Sequence, residues 1–406
     1  MGAIAAAVTT LILAVNLASV AQSQTEIDTE VFPASYSFGE HITFYLNADS
    51  ADSIINEVSL FFRIQGQPDT VVLTAPVEPA SSVSVALPYE SVAEHIPPFS
   101  MITYWWEIVA ENGARQLTDE QSLYYADNRY AWRPVRDERN GTSWEVFYAQ
   151  GDAAFGQMAL DTALKAQDEI VQQLGGAVPG VIRIFVYPSE SELRSALSLA
   201  GYDWAGGQAR PELGVILVGI PDDASAQGEM ERKIPHELTH LLVYEATGRA
   251  RESVPPWLNE GLASVNEFRS DPDRQVLLEQ ALAEDRLYPL EALCAPFPTD
   301  AAAARLAYAQ SASVVEYLRE EYGSQIIRDL LAAYVDAPSC DAGVNQVLGR
   351  DLEDLDAAWR SYLREQGWVS NDPHEGAIWL VLWLMSALLA FPLLGFWRSR
   401  RARNKE

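Results

Sequence analysis

Between Phe32 and Asp127 apolar and polar positions alternate with a period near two. Phe38–Leu46 and Val58–Ile64 are the longest such runs. Thr70–Leu73, Ser82–Leu87 and Ile102–Val109 follow, the last ending at Asn112-Gly113. Short strands with turn residues between them, and no helical period, predict an antiparallel β-sandwich over residues 28–127. Tyr104-Trp105-Trp106 is expected to pack its core, with a sugar-binding surface as the alternative. Past the polar, Arg-rich stretch 130–141 the pattern changes. Trp144–Tyr148, Val181–Tyr187 and Gly214–Gly219 read as strands, with a helix from Ala153 to Leu174 stopped by Gly175-Gly176 and another beginning at Ser189. Beyond Gln227 the period is helical: around His236, then Trp257–Phe268, Asp271–Glu284, Thr299–Tyr322, Ser324–Val335 and Leu352–Glu365. In the last of these Leu352, Leu355, Trp359, Tyr362 and Leu363 form one apolar face. A small mixed sheet followed by helices is an α+β layout, expected over residues 143–366.

Two further apolar runs lie at the ends. Ala3 to Val20 is apolar and closes on small residues at Ser19 and Ala21, which predicts a signal peptide over residues 1–21. Its leading segment lacks Lys and Arg, so a retained N-terminal anchor is the alternative. Ala377 to Trp397 carries no charge over 21 residues, a helix of about 31 Å against a hydrocarbon core of about 30 Å. Trp379, Trp383 and Trp397 mark it, and Pro392 is tolerable in a membrane helix. The tail 398–406 holds Arg398, Arg400, Arg401, Arg403 and Lys405, which predicts a cytoplasmic side there. The expectation is a single-pass type I protein of the cell membrane, with the bulk of the chain extracytoplasmic.

Charge narrows the partners. The 406 residues carry 28 Lys+Arg against 57 Asp+Glu, a formal net charge of -29. Such a surface repels a phosphate backbone, which excludes non-specific nucleic-acid binding, and it repels anionic lipid, which leaves membrane contact to the C-terminal helix. Cys294 and Cys340 are the only cysteines. An oxidising compartment favours one disulfide between them, with two buried thiols as the alternative.

The chemistry is concentrated in His236-Glu237-Leu238-Thr239-His240. Two histidines four apart share one helix face and can grip one ion, while Glu237 beside them can take a proton from water. Pro235 just before the motif fits a helix that starts within a turn of it, or one kinked there. A third ligand is supplied by Glu260 in Trp257-Leu258-Asn259-Glu260-Gly261-Leu262-Ala263, twenty residues after His240. Pro255 and Pro256 mark the start of its helix. Two imidazoles and a carboxylate with one open position make a catalytic Zn2+ site.

These motifs resemble the gluzincin metallopeptidases. HELTH with this interval to Glu260 is similar to thermolysin, and WLNEGLASVNEF resembles the aminopeptidase N and leukotriene A4 hydrolase family. The resemblance spans about Trp144 to Gln366 and identifies a peptidase MA-like domain. It implies a zincin-like α+β fold, preceded here by an all-β immunoglobulin-like sandwich and followed by one transmembrane helix. It implies His236, His240 and Glu260 as zinc ligands, Glu237 as general base, and a peptide or protein substrate. Leu306–Leu318 aligns with a helix whose tyrosine stabilises an oxyanion, which assigns that role to Tyr308; packing in the core is its alternative. The resemblance also implies that Gly214–Gly219 pairs with extended substrate. Two features depart from the pattern. Ser264 stands where thermolysin has an aspartate that orients a histidine, and Gly206–Arg210 replaces the Gly-x-Met-Glu-Asn of aminopeptidases. An endopeptidase is therefore expected, and a cell-surface scaffold with a structural metal domain is the rival.

Overall fold

The structure is a computed structural model that describes residues 27–90, 96–176, 178–198, 207–248 and 253–366. The expected signal peptide (1–21), transmembrane helix (377–397) and basic tail (398–406) lie outside the described residues. Among the described residues no helix is long and apolar enough to cross a membrane. The chain divides into two compact units, Met1–Asp127 and Asn128–Glu406.

The first unit is built from β1 (Ile27–Ser37), β2 (His41–Ser50), β3 (Ile55–Ile64), β4 (Thr70–Ala75), β5 (Ser82–Glu90), β6 (Ser100–Ala110), β7 (Arg115–Leu117) and β8 (Gln121–Tyr125). One sheet has the order β1-β2-β5 and the other β4-β3-β6-β7, with β8 also on β6. All pairings are antiparallel. The period-two pattern sends alternate side chains inward, so Tyr104 and Trp106 are buried while Trp105 faces out. Phe44 of β2 stacks on Phe62 of β3 at 5.6 Å and meets Tyr104 of β6 edge-on at 5.0 Å, so aromatic rings join the two sheets. Outside, Trp105 stacks on Phe61 and carries the Arg63 guanidinium 4.9 Å over its ring.

In the second unit, in chain order, stand β9 (Arg133–Arg139), β10 (Thr142–Tyr148), α1 (Ala153–Leu174), β11 (Val181–Tyr187), α2 (Glu190–Ser198), β12 (Gly207–Arg210), β13 (Val215–Gly219) and α3 (Ala226–Ala246). Then follow α4 (Pro256–Val265), α5 (Arg274–Ala283), α6 (Ala301–Tyr322), α7 (Gln325–Asp336), α8 (Cys340–Leu348) and α9 (Leu352–Glu365). The mixed sheet runs β12-β13-β11-β10-β9, parallel in its centre and antiparallel at both edges. Trp144 and Val146 of β10, Ile182 and Ile184 of β11 and Ile216 of β13 form one core with Leu160 and Ile170 of α1 and Met230, Ile234 and Leu241 of α3. Helix α9 buries Leu352, Leu355, Trp359 and Leu363, and its Trp359 Nε1–H donates to Ser313 Oγ of α6 at 3.1 Å. Cys294 and Cys340 are joined as a disulfide.

One expectation is corrected. The strand Gly214–Gly219 cannot pair with a substrate, because β13 is hydrogen-bonded on both sides, to β11 and to β12. Among the described residues the sheet edge beside α3 is β12, a strand too short and too polar to be read from the sequence.

Candidate metal centre and cleft

Helix α3 carries His236, Glu237 and His240. Pro235 lies well inside it rather than near its start. A proline has no N–H for the carbonyl four residues back, and its ring pushes that carbonyl aside. Here the carbonyl is that of Glu231, and it accepts instead from the Phe268 N–H at 2.9 Å. Helix α4 starts at Pro256 and brings Glu260 to the face of α3. Gly261 lets it come close to α6: a Cβ there would collide with the Ser311 carbonyl and lie 2.8 Å from Val315.

The ligand atoms of His236, His240 and Glu260 lie within 4.8 Å of one another. Glu260 Oε2 is 3.5 Å from His236 Nε2 and 3.4 Å from His240 Nε2. Ligands at about 2.0–2.1 Å on a tetrahedral ion are about 3.3–3.4 Å apart, so the spacing fits zinc. The other ring nitrogens are held from behind. His236 Nδ1–H donates to Glu267 Oε1 at 2.9 Å, and His240 Nδ1–H to Asn259 Oδ1 at 3.1 Å. Both bonds turn the Nε2 atoms toward Glu260, the orientation a metal needs. Glu267 and Asn259 were not among the residues expected from the sequence. Glu267 stands seven residues after Glu260 but past the end of α4 at Val265, so the helical period of the sequence carries no signal for it.

In the metal-free chain the charges settle on one another. Burial opposes charge on His236, but hydrogen bonds to Glu260 and Glu267 and the nearby Glu237 carboxylate raise its pKa to about 10. Burial also favours neutral Glu260, but His240 and His236 overcome it and hold Glu260 far below the usual carboxylate range. Glu237 is raised, chiefly by burial, against the pull of the two histidines and an Ala209 N–H hydrogen bond from β12. A buried carboxylate with a raised pKa is suited to holding a proton in transit. Gly207 makes this contact possible, since a Cβ there would collide with the Glu237 carboxylate.

Tyr308 on α6 lines the same cleft, its ring centroid 6.3 Å from that of His236. Burial and then the carboxylates of Glu260, Glu237 and Glu267 push its pKa up, so it stays a hydrogen-bond donor across the ordinary pH range. Phe297 meets it edge-on at 5.2 Å. The cleft has a volume of about 360 Å³ and includes four cations, Arg232, Lys233, Arg274 and Arg305. Each is paired. Buried Lys233 reaches Glu190 at 2.7 Å and Glu229 at 2.8 Å, and donates to the Gly219 carbonyl. Arg232 pairs with Glu229, Arg274 with Glu316 and Arg305 with Asp271. The structure thus brings together all five residues singled out in the sequence.

The model of the Peptidase MA superfamily matches residues 162–365. Among solved structures, the M1 zinc metallopeptidase from Deinococcus radiodurans is similar at 13% identity and a TM-score of 0.40, over 82% of this chain and 92% of that one. A mutant of the Deinococcus enzyme bound to a Tyr-ser-ala substrate is similar at 13% identity and a TM-score of 0.36, over the same shares. Wild-type OgpA from Akkermansia muciniphila is similar at 12% identity and a TM-score of 0.21, and the match takes in 26% of this chain and only 28% of that one. Comparison with curated proteins finds no match.

Proposed function

Because the chain belongs to the Peptidase MA superfamily, we propose that its second unit is a zinc metallopeptidase whose ligands are His236, His240 and Glu260. The observation that carries the reading is the spacing of three ligand atoms around one point with both Nδ1 atoms anchored behind. Zinc at this position supplies a Lewis acid that acidifies water and polarises a carbonyl. Glu237 takes the proton of the attacking water and passes it to the departing amine. Tyr308 donates to the oxyanion as it forms. An extended peptide lies along the outer edge of β12, which replaces β13 in that role. The cleft cations are each matched by a carboxylate, and Gly207–Arg210 offers no acidic side chain for a substrate's amino terminus, which favours internal cleavage.

We propose further that the first unit is an immunoglobulin-like sandwich. A cleaved signal peptide and the 377–397 helix place both units outside the cell membrane as a type I protein. The test of the enzymatic reading is Glu237→Gln, assayed on a mixed peptide library by mass spectrometry. It should keep zinc and lose at least about 10²-fold in hydrolysis. Equal inertness of wild type and variant, both zinc-loaded, would favour the scaffold.

A further inference from the structure

We infer that Pro235 is a positioning residue for the metal centre, acting through the Glu231 carbonyl that it leaves without a helical partner. Inside a helix proline is usually a defect. In α3 the freed carbonyl has a specific use, because it accepts the Phe268 N–H at 2.9 Å. A second contact holds the same segment. Thr239 Oγ1–H donates to the Pro235 carbonyl at 2.8 Å, and Thr239 Oγ1 accepts from Asn266 Nδ2–H at 3.2 Å. Asn266 and Phe268 are thus tied to α3 on either side of Glu267. Only Glu267 remains between them, and its carboxylate meets His236 Nδ1 at 2.9 Å.

The order of causes follows from the chain. Helix α4 ends at Val265, and the Asn266 N–H closes it by donating to the Leu262 carbonyl. Residues 267 and 268 therefore lie past the helical ladder. Without external bonds the Glu267 side chain would have to find His236 by chance, and ordering it would cost entropy at each metal-binding event. The proline spares that cost by creating an acceptor on the neighbouring helix at the required place.

The inference rests on the zinc reading, and it makes a prediction opposite in sign to ordinary helix propensity. Pro235→Ala restores an N–H for Glu231 and should leave melting temperature unchanged or raise it. It should nevertheless weaken zinc binding about tenfold, the scale for loss of a partner behind a metal-binding histidine. The experiment is chelator-competition titration with zinc on the full chain, together with hydrogen exchange at the Phe268 amide. Glu267→Gln should weaken zinc by about 10- to 100-fold. The double variant should bind no worse than Glu267→Gln alone, because both changes break one linkage. Exchange at Phe268 should speed up at least about tenfold in Pro235→Ala.

Unchanged zinc affinity in Pro235→Ala, or a Phe268 amide as protected as before, overturns the inference. The second result would mean that Phe268 is held by its ring, which lies under Lys165 Nζ at 3.9 Å. Full additivity in the double variant overturns it as well. If wild type takes up no zinc, the metal reading itself fails, and the exchange measurement still decides whether Pro235 docks the segment.

Discussion

His236 is the residue whose protonation sets the behaviour of the metal centre. Its pKa of about 10 in the folded, metal-free chain lies well above its ordinary value of 6.5. The folded form therefore gains stability from that proton fully below about pH 6.5 and loses it as pH rises through about 10. Zinc requires the neutral ring, so between those limits uptake must displace one proton. Apparent zinc affinity should rise about tenfold per pH unit from pH 7 to pH 9, measured by competition with a chelator of known protonation. A flat profile would show that the His236 ring is already neutral in the metal-free chain over that range. Tyr308→Phe tests the other side of the cleft: kcat should fall about 10²-fold with KM little changed, and an unchanged kcat would assign the ring to packing. At this scale the sequence is legible where chemistry depends on one helix, as with two histidines four apart. It is less so where contact depends on two. Ser264 drew attention four residues after Glu260, and the partner of His236 stands three residues further on, beyond the helix end, where only the docked chain brings it back.

Elements explain why the centre holds its shape. Gly207 on β12 leaves room for Glu237, so Gly207→Ala should push that carboxylate aside. Hydrolysis should fall at least about tenfold while zinc stays bound; Gly180→Ala, with nothing within 4 Å of an added Cβ, is the control and should change neither. Loss of zinc in Gly207→Ala would mean that β12 supports the ligands and not the base. A second support comes from the other side. The disulfide Cys294–Cys340 closes a separation of 46 residues and fixes the start of the segment Pro296-Phe297-Pro298, while Asp300 caps α6 by accepting from the Ala303 N–H. Two prolines and two anchors leave Phe297 few conformations, and its ring rests on Tyr308. Replacing both cysteines by alanine should lower stability by about 4 kcal/mol on loop entropy alone, read from urea unfolding; no change would mean that packing of α8 already fixes this loop. The long helices and central strands were legible because their apolar periods are long, while the short α8 (Cys340–Leu348) was not read. Strand β12, four residues of Gly-Gln-Ala-Arg, carries no such period and exists because β13 offers it a hydrogen-bonding edge. Misplacing the edge by one strand followed from that.

The whole molecule combines a strongly acidic body with a short basic tail, the charge pattern from which the proposed type I topology is argued. Net charge of -29 over the chain includes five basic residues crowded into 398–405, so the rest is more acidic still and anionic lipid repels it. Any stable hold on a membrane must then come from the uncharged run 377–397 and not from the surface of either unit. Deleting residues 377–406 should therefore release the protein into the medium of expressing cells. The released form should keep its zinc, since the ligands all lie within residues 236–260 and the last helix of the second unit ends at Glu365. The full chain should stay with the membrane fraction after alkaline carbonate, and protease added to intact cells should digest all but its tail. A truncated protein that remains cell-bound would show that residues 1–21 are retained as an anchor, the alternative left open by their lack of Lys and Arg. A full chain protected from external protease would reverse the topology, and with it the compartment in which Cys294 and Cys340 are expected to pair.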